Sequence, residues 1–126
     1  MAEIMITRAR DYLLKKQKSE KDLRQKDKNK ILFTLKSLRM LWRTYKLERV
    51  YLYGSFADMS FHKNSDIDIA IEPEISFGDQ LKLYTEINKH MKRDVEVRLL
   101  KELPFAEKVR REGIVIYERE DSDTEK

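Results

Sequence analysis

The 126-residue chain contains no cysteine. Disulfide frameworks, thiolate zinc sites and cysteine nucleophiles are excluded with it. Long apolar runs are also missing. Nothing approaches the roughly 20 residues needed to span a bilayer, and the N-terminus lacks the uninterrupted apolar core of a signal peptide. These absences together predict a soluble, cytoplasmic protein. Glycine and proline are scarce, three and two respectively. The length allows one domain, large enough to bury its own core but with little room beyond it.

Charge is abundant. Charged residues make up 40% of the chain, yet the net charge is only +4. That average hides an asymmetry: residues 1–50 hold 15 basic and 6 acidic side chains, and residues 51–126 hold 12 basic and 17 acidic. The stretch Lys15 to Lys30 has eight Lys or Arg, three acids and a single large aliphatic residue, Leu23. It has no stripe to bury, which predicts an exposed helix or a mobile linker. Basic runs are commonly solvated faces, so direct nucleic-acid binding is not favoured.

Periodicity gives an alternating order of elements. Ile6, Ala9, Tyr12 and Leu13 mark a modest helix from Ile4 to Leu14. Ile31, Leu35, Leu38, Trp42 and Tyr45 recur at helical steps and predict a core-facing helix. Arg49 to Tyr53 reads as a strand ended by Gly54. Gly54 to Ala57 and the polar residues 57–65 read as loop, and Ile67 to Ile71 as a second strand ended by Pro73. Leu83, Ile87 and Met91 predict a helix over Phe77 to Lys92. Val95, Val97 and Leu99 alternate with Asp94, Glu96 and Arg98, the pattern of a strand with one polar face. Leu103 to Arg111 reads as a short helix with Pro104 in its first turn and Gly113 at its C-terminal cap, and Ile114 to Tyr117 as a last strand. The sum is an α/β (α+β) domain with a small mixed sheet.

The chemistry concentrates between Gly54 and Asp68. Asp66 and Asp68 are two apart on a predicted strand and share a face. Side-by-side carboxylates repel unless water or a cation separates them. Hard oxygen ligands of this kind suit magnesium, which keeps waters and adds phosphate oxygens. Gly54 directly after a strand permits a tight turn and close backbone approach. Its neighbouring amides and the Ser55 hydroxyl can cradle phosphate oxygens. Two metals are best held from more than one strand, and Glu96 is the natural third carboxylate, with Asp94 in reserve. His62 and His90 are isolated and read as surface residues. Tyr51 and Tyr53 read as strand packing, and Trp42 as core.

Gly54-Ser55, ten residues, then Asp66-Ile67-Asp68 resembles the signature of the DNA polymerase β-like nucleotidyltransferase superfamily. Val95-Glu96-Val97, Leu103-Pro104 and Glu112-Gly113-Ile114-Val115 are similar to its minimal nucleotidyltransferase branch. The resemblance covers roughly residues 31–118. It implies a nucleotidyltransferase fold with a small mixed sheet flanked by helices. Residues 1–30 would then be a charged helical extension or linker, and residues 119–126 a flexible charged tail.

The resemblance also implies a function: the antitoxin of a toxin–antitoxin module, which transfers AMP from ATP to a tyrosine of a small helical HEPN ribonuclease. Gly54, Ser55 and Ser65 would bind the nucleotide. Asp66, Asp68 and Glu96 would be the catalytic carboxylates and hold magnesium, two ions in all. Two positions depart from the family pattern: Glu96 stands where Asp is usual, and Asp58-Met59 where Arg-Gly commonly follows. An Asp58 facing the triphosphate would lower nucleotide affinity; one facing water would not. A binding module with a weakened site, neutralising the toxin by covering it, stays open, as does a small-molecule nucleotidyltransferase.

Overall fold

The computed structural model describes residues 2–120. Of the expected charged tail, only Arg119 and Glu120 fall within them. The first element is a single helix, α1 (Ala2–Ser37), of 36 residues. At about 1.5 Å per residue it is roughly 54 Å long. It runs unbroken through the charged stretch, so Lys15 to Lys30 is helix rather than linker. Lys, Arg, Glu and Gln are good helix formers that need no burial to propagate a helix already nucleated at one end. Residues 2–23 are exposed throughout, and burial begins only near the base, with Ile31 and Leu35.

The expected helix over residues 31–45 is interrupted once. Leu38 leaves helical geometry (φ −84°, ψ 24°), and a short helix α2 (Arg39–Thr44) follows. The apolar stripe survives the break because the Trp42 indole Nε1 donates to the Leu35 carbonyl oxygen at 3.1 Å. Trp42 and Leu35 are both fully buried there.

Four strands form one mixed sheet in the order β3-β2-β1-β4. β1 (Arg49–Tyr53) runs antiparallel to β2 (Ile67–Glu72) and to β4 (Ile114–Glu118). β2 runs parallel to β3 (Val95–Leu99). The parallel crossover between them is helix α4 (Phe77–Asn88). Ser76 caps α4, its Oγ accepting from the Asp79 amide at 3.1 Å. The expected helix to Lys92 stops short because Asn88 turns its amide onto β3, donating to the Val95 carbonyl and accepting from the Val95 amide.

The sheet buries its two faces unequally. Val50, Leu52, Ile67, Ile69, Ile71, Val95, Val97 and Leu99 point to one side, where Ile31, Leu35, Trp42, Leu83 and Ile87 close the main core. The other side has a smaller cluster of Tyr51, Tyr53, Ala70, Leu100 and Val109. It is covered only in part, by a 3-10 turn (Leu100–Glu102) and a short helix (Ala106–Glu112). That helix starts three residues later than expected, with Pro104 in the turn ahead of it. The half-covered face is where the polar residues of β2 and β3 emerge.

Candidate active site

The expected loop after Gly54 is a single helical turn, α3 (Ser55–Asp58), and the short helix Ala106–Glu112 is α5. Gly54 has φ +74°, a region that favours glycine. A Cβ on it would also lie 2.8 Å from Asp68 Oδ2. Both constraints bring the β1–α3 corner against the β2 carboxylate. Ser55 then begins α3; the Ala57 and Asp58 amides donate to the Gly54 carbonyl oxygen at 3.0 and 3.2 Å, and the Ser55 and Phe56 amides stand ahead of these bonds. Lys28 of α1 closes the other end, its Nζ donating to the Ala57 carbonyl at 3.1 Å.

Met59 follows with φ +67°. This is where the family pattern commonly has glycine, and its left-handed backbone explains that preference. Asp58 Oδ1 accepts from the Ser60 amide at 2.9 Å and the Ser60 hydroxyl at 2.5 Å. These bonds hold its carboxyl below the usual range, with nearby Lys108 adding to the effect.

The sheet register assembles the carboxylates. Asp68 is paired with Tyr53 on β1 and with Glu96 on β3. Asp66 lies two residues earlier, just ahead of β2 on the same face. Burial pushes the Asp68 carboxyl up to about 6, helped by the charge of Glu96 and a hydrogen bond with it. Burial also pushes the Tyr53 phenol up to about 12, with the charge of Asp68 next in importance. Glu96 is additionally bound by Arg98, whose Nη2 approaches Glu96 Oε2 at 3.1 Å. Asp94 is engaged elsewhere, accepting from the Tyr84 hydroxyl at 2.6 Å.

Two cavities flank the pair. One, of about 530 Å³, is lined by Tyr53, Gly54, Asp58, Asp68, Phe105 and Lys108 among others. The other, of about 380 Å³, is lined by Gln80, Tyr84, Glu96, Arg98 and Leu103 among others. Asp58 thus faces the same cavity as Gly54 and Asp68. Ser65 closes the turn before Asp66, its Oγ accepting from the His62 amide at 2.9 Å. A hydroxyl that accepts one bond can still donate its own proton. Among the described residues, no three His, Asp or Glu side chains already converge on one point. Asp68 and Glu96 do, with Asp66 close enough to raise Asp68 further. One or two carboxylates are what a magnesium ion asks of a protein when phosphate and water complete its shell, so the donor set fits that ion.

The family model for polymerase beta-type nucleotidyltransferases matches residues 29–122. The chain belongs to that nucleotidyltransferase family. Its fold is similar to that of a toxin–antitoxin protein solved with AMP-PNP, with a TM-score of 0.54 and 25% identity over 76% of this chain and 77% of that one. A mutant MntA toxin–antitoxin structure is 24% identical with a TM-score of 0.52, covering 76% of each chain. The MntA–HepT toxin–antitoxin structure is 22% identical with a TM-score of 0.51, covering 72% and 75%. No curated protein is similar enough in sequence to match. The fold and family expected from the Gly54-Ser55 and Asp66-Ile67-Asp68 spacing are therefore those observed. No helix among the described residues is long and apolar enough to cross a membrane.

Sequence reasoning passed over several residues in and around this candidate site. Arg98 was legible as the next outward position after Glu96 on β3. Tyr84, Phe105 and Lys108 come from helices and turns whose placement no local pattern gives. Arg93, outside both cavities, precedes β3 in an irregular segment and gave no signal at all.

Proposed function

We propose that the protein is a magnesium-dependent adenylyltransferase that transfers AMP from ATP to a tyrosine hydroxyl of a HEPN-type toxin, acting as its antitoxin. The observation that carries the reading is the Asp68–Glu96 pair, set side by side by the β2–β3 register, with Asp68 so close to Gly54 of the β1–α3 corner that a Cβ there would lie 2.8 Å from its Oδ2. The structural likeness to a toxin–antitoxin protein with AMP-PNP supports both the nucleotide and the setting.

In this reading the partner's hydroxyl oxygen attacks the α-phosphorus, and the bond to pyrophosphate breaks in line. Asp66, Asp68 and Glu96 would hold magnesium, which when bound would neutralise charge on the phosphate oxygens. Gly54 lets the backbone approach the phosphates, and the Ser55 hydroxyl and the first amides of α3 donate to their oxygens. Ser65 orders the turn ahead of Asp66 and has a proton to donate. Glu96, on the side of the second cavity, accepts the proton of the attacking hydroxyl. Phe105 and Tyr53, whose ring centroids are 5.9 Å apart, give the larger cavity an apolar wall beside the phosphates.

A binding module with a weakened site is the second reading, favoured by Asp58 in the nucleotide-side cavity and by the Arg98 bond to Glu96. Incubation with ATP, magnesium and a candidate HEPN partner separates the two. The adenylyltransferase reading expects the partner's mass to rise by one or more AMP units, and the increase to vanish in Asp66→Asn. An unmodified partner held in a tight complex would overturn it in favour of the binding module.

A further inference from the structure

We infer that Arg93 is a positioning residue that fixes the distance between the two halves of the nucleotidyltransferase motif and ties both to α1. This rests on the proposed function for its meaning, and on geometry for its existence. The Arg93 Nη1 donates to three carbonyl oxygens of one loop, those of His62 at 3.0 Å, Lys63 at 2.8 Å and Ser65 at 3.1 Å. The last of these belongs to the peptide that enters Asp66. The same guanidinium lies over the rings of Phe56 and Phe61, 5.1 Å and 5.8 Å from their centroids. Those rings stack on each other at 3.9 Å, and Phe56 is the residue after Ser55. One planar side chain therefore holds the Ser55 half from its face and the Asp66–Asp68 half from its edge.

The other terminal nitrogen reaches the long helix. Arg93 Nη2 pairs with Asp27 Oδ2 at 2.8 Å, and the arginine side chain is only 21% exposed. A half-buried guanidinium with a carboxylate, three carbonyls and two ring faces around it is fixed in one orientation. Lysine has the charge but not the flat fork, so it reaches the carbonyls or Asp27 and does not stack. Arg93 points away from both cavities that flank Asp68 and Glu96, and it lines a different one with Asp27 and Ile31. Its effect on the carboxylates is therefore transmitted through the backbone of residues 62–66.

The test uses the full chain and three variants, Arg93→Met, Arg93→Lys and Asp27→Asn. Amide exchange, binding of magnesium with AMP-PNP, and the magnesium half-saturation of transfer are measured together. The expected result for Arg93→Met is faster exchange confined to residues 62–66. Nucleotide affinity should fall, and magnesium half-saturation rise, by about tenfold or more, as for other residues that orient metal-site ligands. Arg93→Lys and Asp27→Asn should fall between it and the parent, with transfer at saturating magnesium largely restored. A purely structural role would lower the active fraction at every magnesium concentration without moving the half-saturation point, and that outcome overturns the inference. So does faster loop exchange with unchanged nucleotide affinity. If Arg93→Met does not fold, Asp27→Asn decides by the same criteria. If the parent binds no magnesium–nucleotide, the functional proposal fails instead, and loop exchange alone still decides whether Arg93 holds residues 62–66.

Discussion

Asp68 is the residue on which the site's electrostatics turn. Its folded carboxyl titrates at about 6, against an ordinary value of 3.8, because burial and Glu96 both disfavour the charged form. The folded protein therefore retains a proton that the unfolded chain gives up. That contribution to stability is fully present below about pH 4 and is lost as pH rises through about 6. Asp68→Asn removes the repulsion. Without divalent cations at pH 7.5 it should raise the melting temperature by about 4 °C, on the order of 1 kcal/mol after allowing for solvent screening. At pH 4 the two proteins should melt together, and magnesium should stabilise the parent but not the variant. Thermal scans at the two pH values check this, and a variant that melts lower at pH 7.5 would sink it. Asp58 works in the opposite sense. It lines the cavity beside Gly54 and is ionised with the help of Ser60. Asp58→Asn should tighten magnesium–AMP-PNP binding by about threefold, since one like charge is removed from an open, screened site. Calorimetric titration measures it, and unchanged affinity would mean the phosphates lie elsewhere.

At the scale of elements, the strands were legible because their patterns are local. Val95, Val97 and Leu99 alternate with Glu96 and Arg98, and the observed β3 follows that alternation. The Gly54-Ser55 to Asp66-Ile67-Asp68 spacing gave the family, and the sheet register then placed Asp68 beside Glu96. The boundaries of the helices were less legible, because side-chain bonds to the backbone set them. α4 ends where Asn88 bonds the Val95 backbone, and α2 begins where the Trp42 indole takes the Leu35 carbonyl. Each pair is only seven residues apart, but a side chain turning onto a backbone group leaves no mark in the apolar periodicity. Gly113 shows the same limit: it does end α5, yet with φ −66° rather than a left-handed turn. Glycine is required there by close approach, since a Cβ would sit 2.5 Å from the Val109 carbonyl and 3.3 Å from that of Leu52. Gly113→Ala should force α5 off β1 and cost about 1–3 kcal/mol, as overpacking does. Because α5 carries Lys108 and Val109 of the larger cavity, nucleotide affinity should fall with it. A chemical denaturation curve superimposable on the parent's would contradict this.

At the scale of the whole molecule, α1 divides at its base. Residues 2–23 are exposed, with Ile6, Tyr12, Leu13 and Leu23 all more than half accessible, and they precede the family match at residue 29. Their basic side chains point around the helix rather than along one face, since about 100° per residue spreads Arg8, Arg10, Lys15, Lys16, Lys18 and Lys21 over roughly two-thirds of its circumference. Asp27 and Lys28, by contrast, bind Arg93 and Ala57 of the domain, so the domain's bonds reach back past residue 30 into the charged stretch. Two truncations separate these roles. Removal of residues 2–23 takes away no buried side chain, so the melting temperature should change by no more than about 2 °C, within the range of surface changes. Magnesium–nucleotide affinity should be retained. Removal of residues 2–28 deletes Asp27 and Lys28 as well, and exposes the guanidinium of Arg93 without its carboxylate. Breaking a half-buried pair and a helix-end contact together should cost about 2–3 kcal/mol, near 10 °C for a domain of this size. Differential scanning calorimetry on the two truncated chains distinguishes them, and equal losses for both would place the stabilising contacts in the exposed half of α1 instead.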